Sequence, residues 1–147
     1  MQYANFPRVS GCVDGVLFKI DAPTENESHY VDRKGNHSIN AMMVAGPDLT
    51  FYYVSAKWPG SVADARVLRC SSLCTRWENG FRPFSNAILL GDSAYPLKTW
   101  LIPPLIGEGT AESNERFLRS HRSTRRLVEC AYGMLSNIEH QKLTLPD

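Results

Sequence analysis

Apolar and polar positions along the chain fall into blocks with different periods. Three blocks rich in β-branched and aromatic residues predict strands: Val9 to Ile20, Ile39 to Ala45, and Thr50 to Ala56 with Phe51, Tyr52, Tyr53 and Val54. Gly46-Pro47-Asp48 separates the last two and predicts a hairpin turn. Pro59-Gly60-Ser61 then breaks the strand pattern and offers Ser61 as a helix N-cap. Val62, Ala65, Leu68 and Leu73 follow at roughly helical spacing up to Gly80, which predicts one helix. Ala87-Ile88-Leu89-Leu90 is a continuous apolar run, as a buried interior strand requires, and it stops at Gly91-Asp92. Pro96, Pro103 and Pro104 predict irregular chain. The longest helical pattern runs from about Ala111 to Glu139, with Phe117, Leu127, Val128, Ala131, Tyr132, Leu135 and Ile138 as its apolar positions.

Three hairpin-connected strands, a helix, a buried strand and a long helix predict an α/β fold. Its sheet should be mixed, an antiparallel meander plus a parallel strand, flanked by helices. At 147 residues the chain suits a single domain, 1–147. Hydrophobic residues make up 43% and charged residues 21%, which excludes a disordered or fibrous chain. Sixteen Lys and Arg against fifteen Asp and Glu leave +1, so bulk basic charge is not what this chain would use on nucleic acid. No apolar run approaches the ~20 residues of a membrane span, and Met1 to Arg8 holds no signal core. The cysteines Cys12, Cys70, Cys74 and Cys130 have neither disulfide-framework nor zinc spacing, and are expected as reduced, mostly buried thiols of an intracellular protein.

Three acids stand out. Asp14 interrupts an apolar strand, where a half-buried carboxylate needs a cation, hydrogen bonds or a metal; a turn-capping role weighs equally. Asp92 stands at the C-terminal end of the apolar run, the end that faces the ligand crevice in open α/β sheets, or it is an ordinary turn residue before Ser93. Glu129 lies in the apolar stretch of the long helix with Arg125 and Arg126 one turn upstream; taken alone it reads as half of a helical salt bridge. Three acids on three converging elements are a different object. Two Mg²⁺ ions about 3.5–4 Å apart need shared carboxylates and can activate water against a phosphodiester.

The order of motifs resembles the Harbinger (PIF-type) transposase family and its domesticated nuclease relatives. Phe6-Pro7-Arg8-Val9-Ser10-Gly11-Cys12-Val13-Asp14-Gly15 is similar to the family's first-acid strand. Tyr30, Arg33-Lys34-Gly35, Ser38 and Asn40 match its arginine-lysine segment, and Trp58-Pro59-Gly60-Ser61 with Asp64 and Arg66 its proline-glycine-serine motif. Leu89-Leu90-Gly91-Asp92-Ser93-Ala94-Tyr95 matches the second-acid motif. Asn114 to Phe117, His121, Thr124-Arg125-Arg126, Glu129 and Gly133 match the third-acid helix. The resemblance implies an RNase H-like domain, a DDE triad of Asp14, Asp92 and Glu129 holding Mg²⁺ or Mn²⁺, DNA as substrate, a separate Myb-like DNA-binding partner and a nuclear location. The chain departs from the pattern at Gly46, Ala94 and Leu118. It departs again after Leu135, where the family continues with a basic, aromatic stretch and further helices. A domain truncated at its C-terminus and incomplete at both ends is the expectation, with weakened stability and activity.

Other residues carry weaker signals. Asp64 is either a first-turn acid favoured by the helix dipole or a support for the metal ligands. Arg33, Lys34, Arg122, Arg125 and Arg126 are candidates for phosphate contacts, although the arginines of the long helix spread around it instead of forming a stripe. His29, His37, His121 and His140 lack metal spacing, and His121 is expected at the surface more readily than in a structural or DNA-facing role. Trp58, Trp77 and Trp100 suit packing. Asp14-Gly15-Val16-Leu17 also resembles the haloacid dehalogenase-type phosphatases, but Cys12 stands where their nucleophilic Asp belongs. A non-cutting DNA- or protein-binding domain is the stronger alternative to a nuclease.

Overall fold

The computed structural model describes residues 8–46, 50–105, 107 and 109–138. Five strands form one sheet: β1 (Val9–Lys19), β2 (Ser38–Ala45), β3 (Phe51–Pro59), β4 (Ile88–Leu90) and β5 (Leu101–Ile102). Their order is β3-β2-β1-β4-β5, with β1 in the centre. The first three make the antiparallel meander, and β4 and β5 join parallel to β1. This is the mixed, helix-flanked sheet of an RNase H-like domain.

The apolar runs place the strands, and their alternation divides the sheet into two faces. Val13, Met42, Val44, Leu89 and Leu101 turn to one side. There they meet Val67 and Leu68 of α1 (Asp64–Arg69), Leu73, Cys74 and Trp77 of α2 (Ser72–Glu78), and Trp100. The rings of Trp77 and Trp100 lie 5.7 Å apart, and Trp58 packs against the same cluster, so all three tryptophans serve packing. Val9, Cys12, Ala45 and Leu90 form a smaller cluster on the other side, with Phe51, Ile88 and Ile102 packed on it. A register shift between Val9 and Gly11 brings Val9 and Cys12 to the same face despite their odd spacing. The third helix, α3 (Ala111–Ile138), approaches this second face: the Nε2 of its buried His121 bonds the Ile102 carbonyl at 2.9 Å.

The single helix expected up to Gly80 is two. Cys70 and Ser71 break it, and Ser71 caps α2 by accepting the Cys74 N–H at 3.1 Å. Ser61 caps nothing; its hydroxyl donates to the His29 carbonyl, and the residue before α1 is Ala63, with no side-chain cap. Pro47 and Asp48 of the expected hairpin turn lie outside the described residues, but Gly46 N–H donates to Thr50 O at 2.9 Å, as a closing hairpin requires. Phe6, Pro7, Glu139 and His140 also lie outside the described residues. Cys12 and Cys74 are buried whereas Cys70 and Cys130 are exposed, so only half of the thiols meet the expectation of burial; all four are free. No described helix is long and apolar enough to cross a membrane.

Candidate metal centre at the strand ends

The register of β1 against β4 sets the first two acids side by side. Cys12 pairs with Leu90 across parallel strands. Asp14 lies two residues further along, in the middle of β1, and Asp92 lies two residues past Leu90, just beyond the end of β4. The Asp92 charge acts on Asp14, which shares the parity of Cys12 on the α3 face. The backbone holds each carboxylate from below. Asp14 accepts the N–H of Gly15 at 2.9 Å, and Asp92 accepts the N–H of Ala94 at 2.9 Å in an Asx turn.

Burial pushes the Asp14 carboxyl up to about 6, and the neighbouring Asp92 charge pushes in the same direction. Arg125 and the Gly15 amide oppose them, and Asp64 adds a smaller upward push. The Cys12 thiol, buried beneath, is raised to about 12 by desolvation, which makes it an inert packing group.

Asp64 stands on the other side of β1. Its carboxylate lies against Gly15, where any Cβ would collide with it. Asn40, 3% exposed, donates through Nδ2 to Asp64 Oδ1 at 2.8 Å and to the Val62 carbonyl at 2.9 Å. The pair ties the start of α1 to β2, so Gly15 is fixed between Asp14 on one face and Asp64 on the other. Beside them opens a polar cavity of about 310 Å³ whose lining includes Arg33, Asn40, Ser61, Asp64 and Ala94. The signal for this lock was available in the sequence as Asn40 and Gly15, small or amide residues in otherwise apolar strands. Only the fold shows that they share a partner.

Arg33 and Lys34 ride on a rigid turn. Asp32, 7% exposed, accepts from Lys34 N–H at 2.9 Å, Asn36 N–H at 3.1 Å and the Ser38 hydroxyl at 2.8 Å. These bonds hold the Asp32 carboxyl below its usual range, the Ser38 bond most of all. Both cations remain exposed.

The third acid departs from the expected triad. Glu129 is on α3, but its side chain is 58% exposed and its carboxylate meets Arg125 at 3.9 Å. Among the described residues no three His, Cys, Asp or Glu side chains lie close enough to hold a metal ion. Arg125, 20% exposed, acts electrostatically on Asp14 and Cys12 while pairing with Glu129, whose own charge also reaches Cys12. Arg122 and Arg126 are exposed, so the arginines of this segment divide into one turned inward and two in solvent. His121 is also corrected: it is 1% exposed, not a surface residue. Its pKa is lowered, chiefly by burial, with Arg125 acting the same way against the Ile102 bond.

The donor chemistry fits a hard divalent cation. Asp14 and Asp92 supply carboxylate oxygens side by side, and Mg²⁺ is commonly held by one or two carboxylates with water completing the shell. The raised Asp14 pKa comes first from burial, and the Asp92 charge beside it adds to the rise.

Comparison with known proteins shows the family. The family model described as DDE superfamily endonuclease matches residues 13–138, a span that includes Asp14, Asp92 and Glu129. The human protein named "Putative nuclease HARBI1" is 40% identical over 133 residues, 90% of this chain and 37% of the human protein. The protein of the same name in Rattus norvegicus is 40% identical over 127 residues, 86% of this chain and 35% of its own length. "Protein ALP1-like" of Arabidopsis thaliana is 28% identical, across 91% of this chain and 36% of its own. The chain thus spans little more than a third of the length of these relatives. No solved structure matches it. The match over most of the sequence, carried on a mixed helix-flanked sheet, makes the chain a member of the DDE superfamily endonucleases.

Proposed function

We propose that this chain is the catalytic domain of a metal-dependent DNA endonuclease derived from a Harbinger-type transposase. The observation that carries the reading is the approach of Asp92, just past the end of β4, to Asp14 in the middle of the adjoining β1, where burial and the Asp92 charge together raise the Asp14 pKa. Asp14 and Asp92 would hold Mg²⁺ or Mn²⁺, with Glu129 completing the set. Such an ion supplies an activated water and charge stabilisation at the leaving 3′-oxygen.

The chain's own residues do the rest. The Gly15 and Ala94 amides orient the two strand carboxylates. The Asn40–Asp64 lock keeps Gly15, and with it Asp14, from shifting. Arg33 and Lys34 on their rigid turn, and Arg122 and Arg126 on α3, all exposed, would meet backbone phosphates of DNA. A nuclear location and a Myb-like DNA-binding partner belong to the same proposal, by likeness to the family.

The test is nicking of supercoiled plasmid with Mn²⁺ or Mg²⁺, alongside melting curves with and without Mn²⁺. Wild type should nick and gain stability with metal; Asp14→Asn and Asp92→Asn should lose both. Metal-induced melting shifts that are equal in wild type and Asp14→Asn would remove Asp14 from the site. The pairing of Glu129 with Arg125 favours a second reading, a domain that binds DNA or a protein partner without cutting. Binding of duplex DNA with no metal-dependent nicking would select it.

A further inference from the structure

Arg125 differs from the other described arginines of its helix. The side chains of Arg116 and Arg119 are 76% and 73% exposed and bridge to Glu112 and Glu115 on the outer surface. Arg125 follows the same i,i+4 spacing to Glu129, yet its side chain is only 20% exposed. It lies one turn beyond His121 and next to Thr124, both 1% exposed, on the part of α3 that meets the sheet. A guanidinium brought in from water needs negative partners. The Glu129 contact, at 3.9 Å, is long for a charge-assisted hydrogen bond, which runs nearer 2.7–2.9 Å. The charge of Arg125 also reaches Asp14 across the helix–sheet gap. Its charge therefore acts on both the first and third acids, and its one ion-pair contact, with the third, is long.

Resting on the metal-site reading above, we propose that Arg125 is a resident counter-ion that gates the carboxylate site: it neutralises Asp14 and Glu129 while no metal is bound, and a divalent cation enters by displacing it. This accounts for two observations together. Glu129 forms no three-carboxylate cluster with Asp14 and Asp92 among the described residues, and a half-buried cation has a loose pairing that it can leave. Entry of the metal releases Glu129 toward the strand acids and frees a guanidinium at the site's edge. Metal affinity is thereby set by competition with an internal charge as well as by the ligands.

Mn²⁺ affinity, followed by the electron paramagnetic resonance of free Mn²⁺, tests this without reference to cleavage. Arg125→Gln should bind Mn²⁺ roughly five- to tenfold more tightly than wild type, because a competing unit charge is gone. Arg125→Lys keeps the charge and should stay close to wild type. Unchanged or weaker binding by Arg125→Gln, with Asp14→Asn still abolishing the wild-type site, overturns the gate and leaves the metal site standing. Mn²⁺ binding that is insensitive to Asp14→Asn overturns both. Should Arg125→Gln not fold, the Arg125 Nε–H resonance of the wild-type protein decides. A shift on Mg²⁺ saturation supports displacement, and a resonance unmoved by bound Mg²⁺ overturns it.

Discussion

On the face covered by α1 and α2, the sheet buries Val13, Met42, Val44, Leu89 and Leu101 beneath Leu68, Trp77 and Trp100, alongside the hydrogen-bonded Asn40–Asp64 pair. On the face that α3 approaches, the apolar cluster shrinks to Val9, Cys12, Ala45 and Leu90. The space around it goes to Asp14, Arg125, His121 and Thr124. The same five strands serve both faces, so propensity and register cannot account for the difference. What differs is the company each face keeps. One provides folding free energy, and the other spends some of it to keep charges together at half-burial. Substitutions should separate the two faces cleanly.

The largest effect belongs to the packed face. Trp77→Ala should lower stability by about 3–5 kcal/mol, read by urea denaturation, because it empties the contact with Trp100 and Phe81. A loss below 1 kcal/mol would mean that this face is not the stabilising one. Gly15→Ala sits between the faces. Its Cβ would strike the Asp64 carboxylate, so a cost of about 1–3 kcal/mol is expected, together with loss of the Mn²⁺-induced melting shift. A neutral Gly15→Ala would show that the Asn40–Asp64 lock is slack.

Asp14→Asn should act in the opposite sense. The folded protein holds the Asp14 proton up to about pH 6, against an ordinary value of 3.8. Below about pH 4 both folded and unfolded chains are protonated and the group costs nothing. As pH rises through 6 the folded state must ionise it, and the cost becomes complete. The variant should therefore gain about 1–2 kcal/mol over wild type at pH 8 and nothing at pH 4. An equal gain at both values would place the cause outside ionisation. The smallest effect is that of His121, whose lowered pKa has the contrary sign. Stability should fall as pH drops below about 6.5 and the unfolded chain takes up a proton that the buried ring resists. His121→Gln should flatten that acid limb; identical slopes between pH 7 and 5 would show that the ring does not report on helix docking.

Much of this architecture is legible in residue pattern alone, for definite reasons. Long apolar runs fix β1, β2, β3 and β4, and a parallel partner for β1 follows from the absence of a hairpin before Ile88. β5 is too short, at Leu101–Ile102, to show any period. The break between α1 and α2 is audible in the five-residue step from Leu68 to Leu73, which no single helical face accommodates, and in Ser71 as a cap. Ser61 misleads because the Pro59-Gly60 turn carries the chain past it before the helix begins. At the site, Asp14 is readable because it interrupts an apolar strand, and Asp92 because it follows the end of one. The role of Arg125 is not, since five arginines on one helix look alike until the sheet shows which one it covers.

The tie between His121 and the Ile102 carbonyl has a mechanical consequence for the third acid. Glu129 lies eight residues further along α3, about 12 Å down the helix axis at 1.5 Å per residue. A tilt of only about 5° about that tie carries Glu129 by about 1 Å across the strand ends, given such a lever arm. Asp14 and Asp92 have no such freedom, because their backbone belongs to the sheet or to the turn that leaves it. The assembly therefore resembles a caliper with one fixed jaw and one pivoting jaw. Whatever leans on the far end of α3 sets the opening by angle and needs to touch neither acid of the fixed jaw.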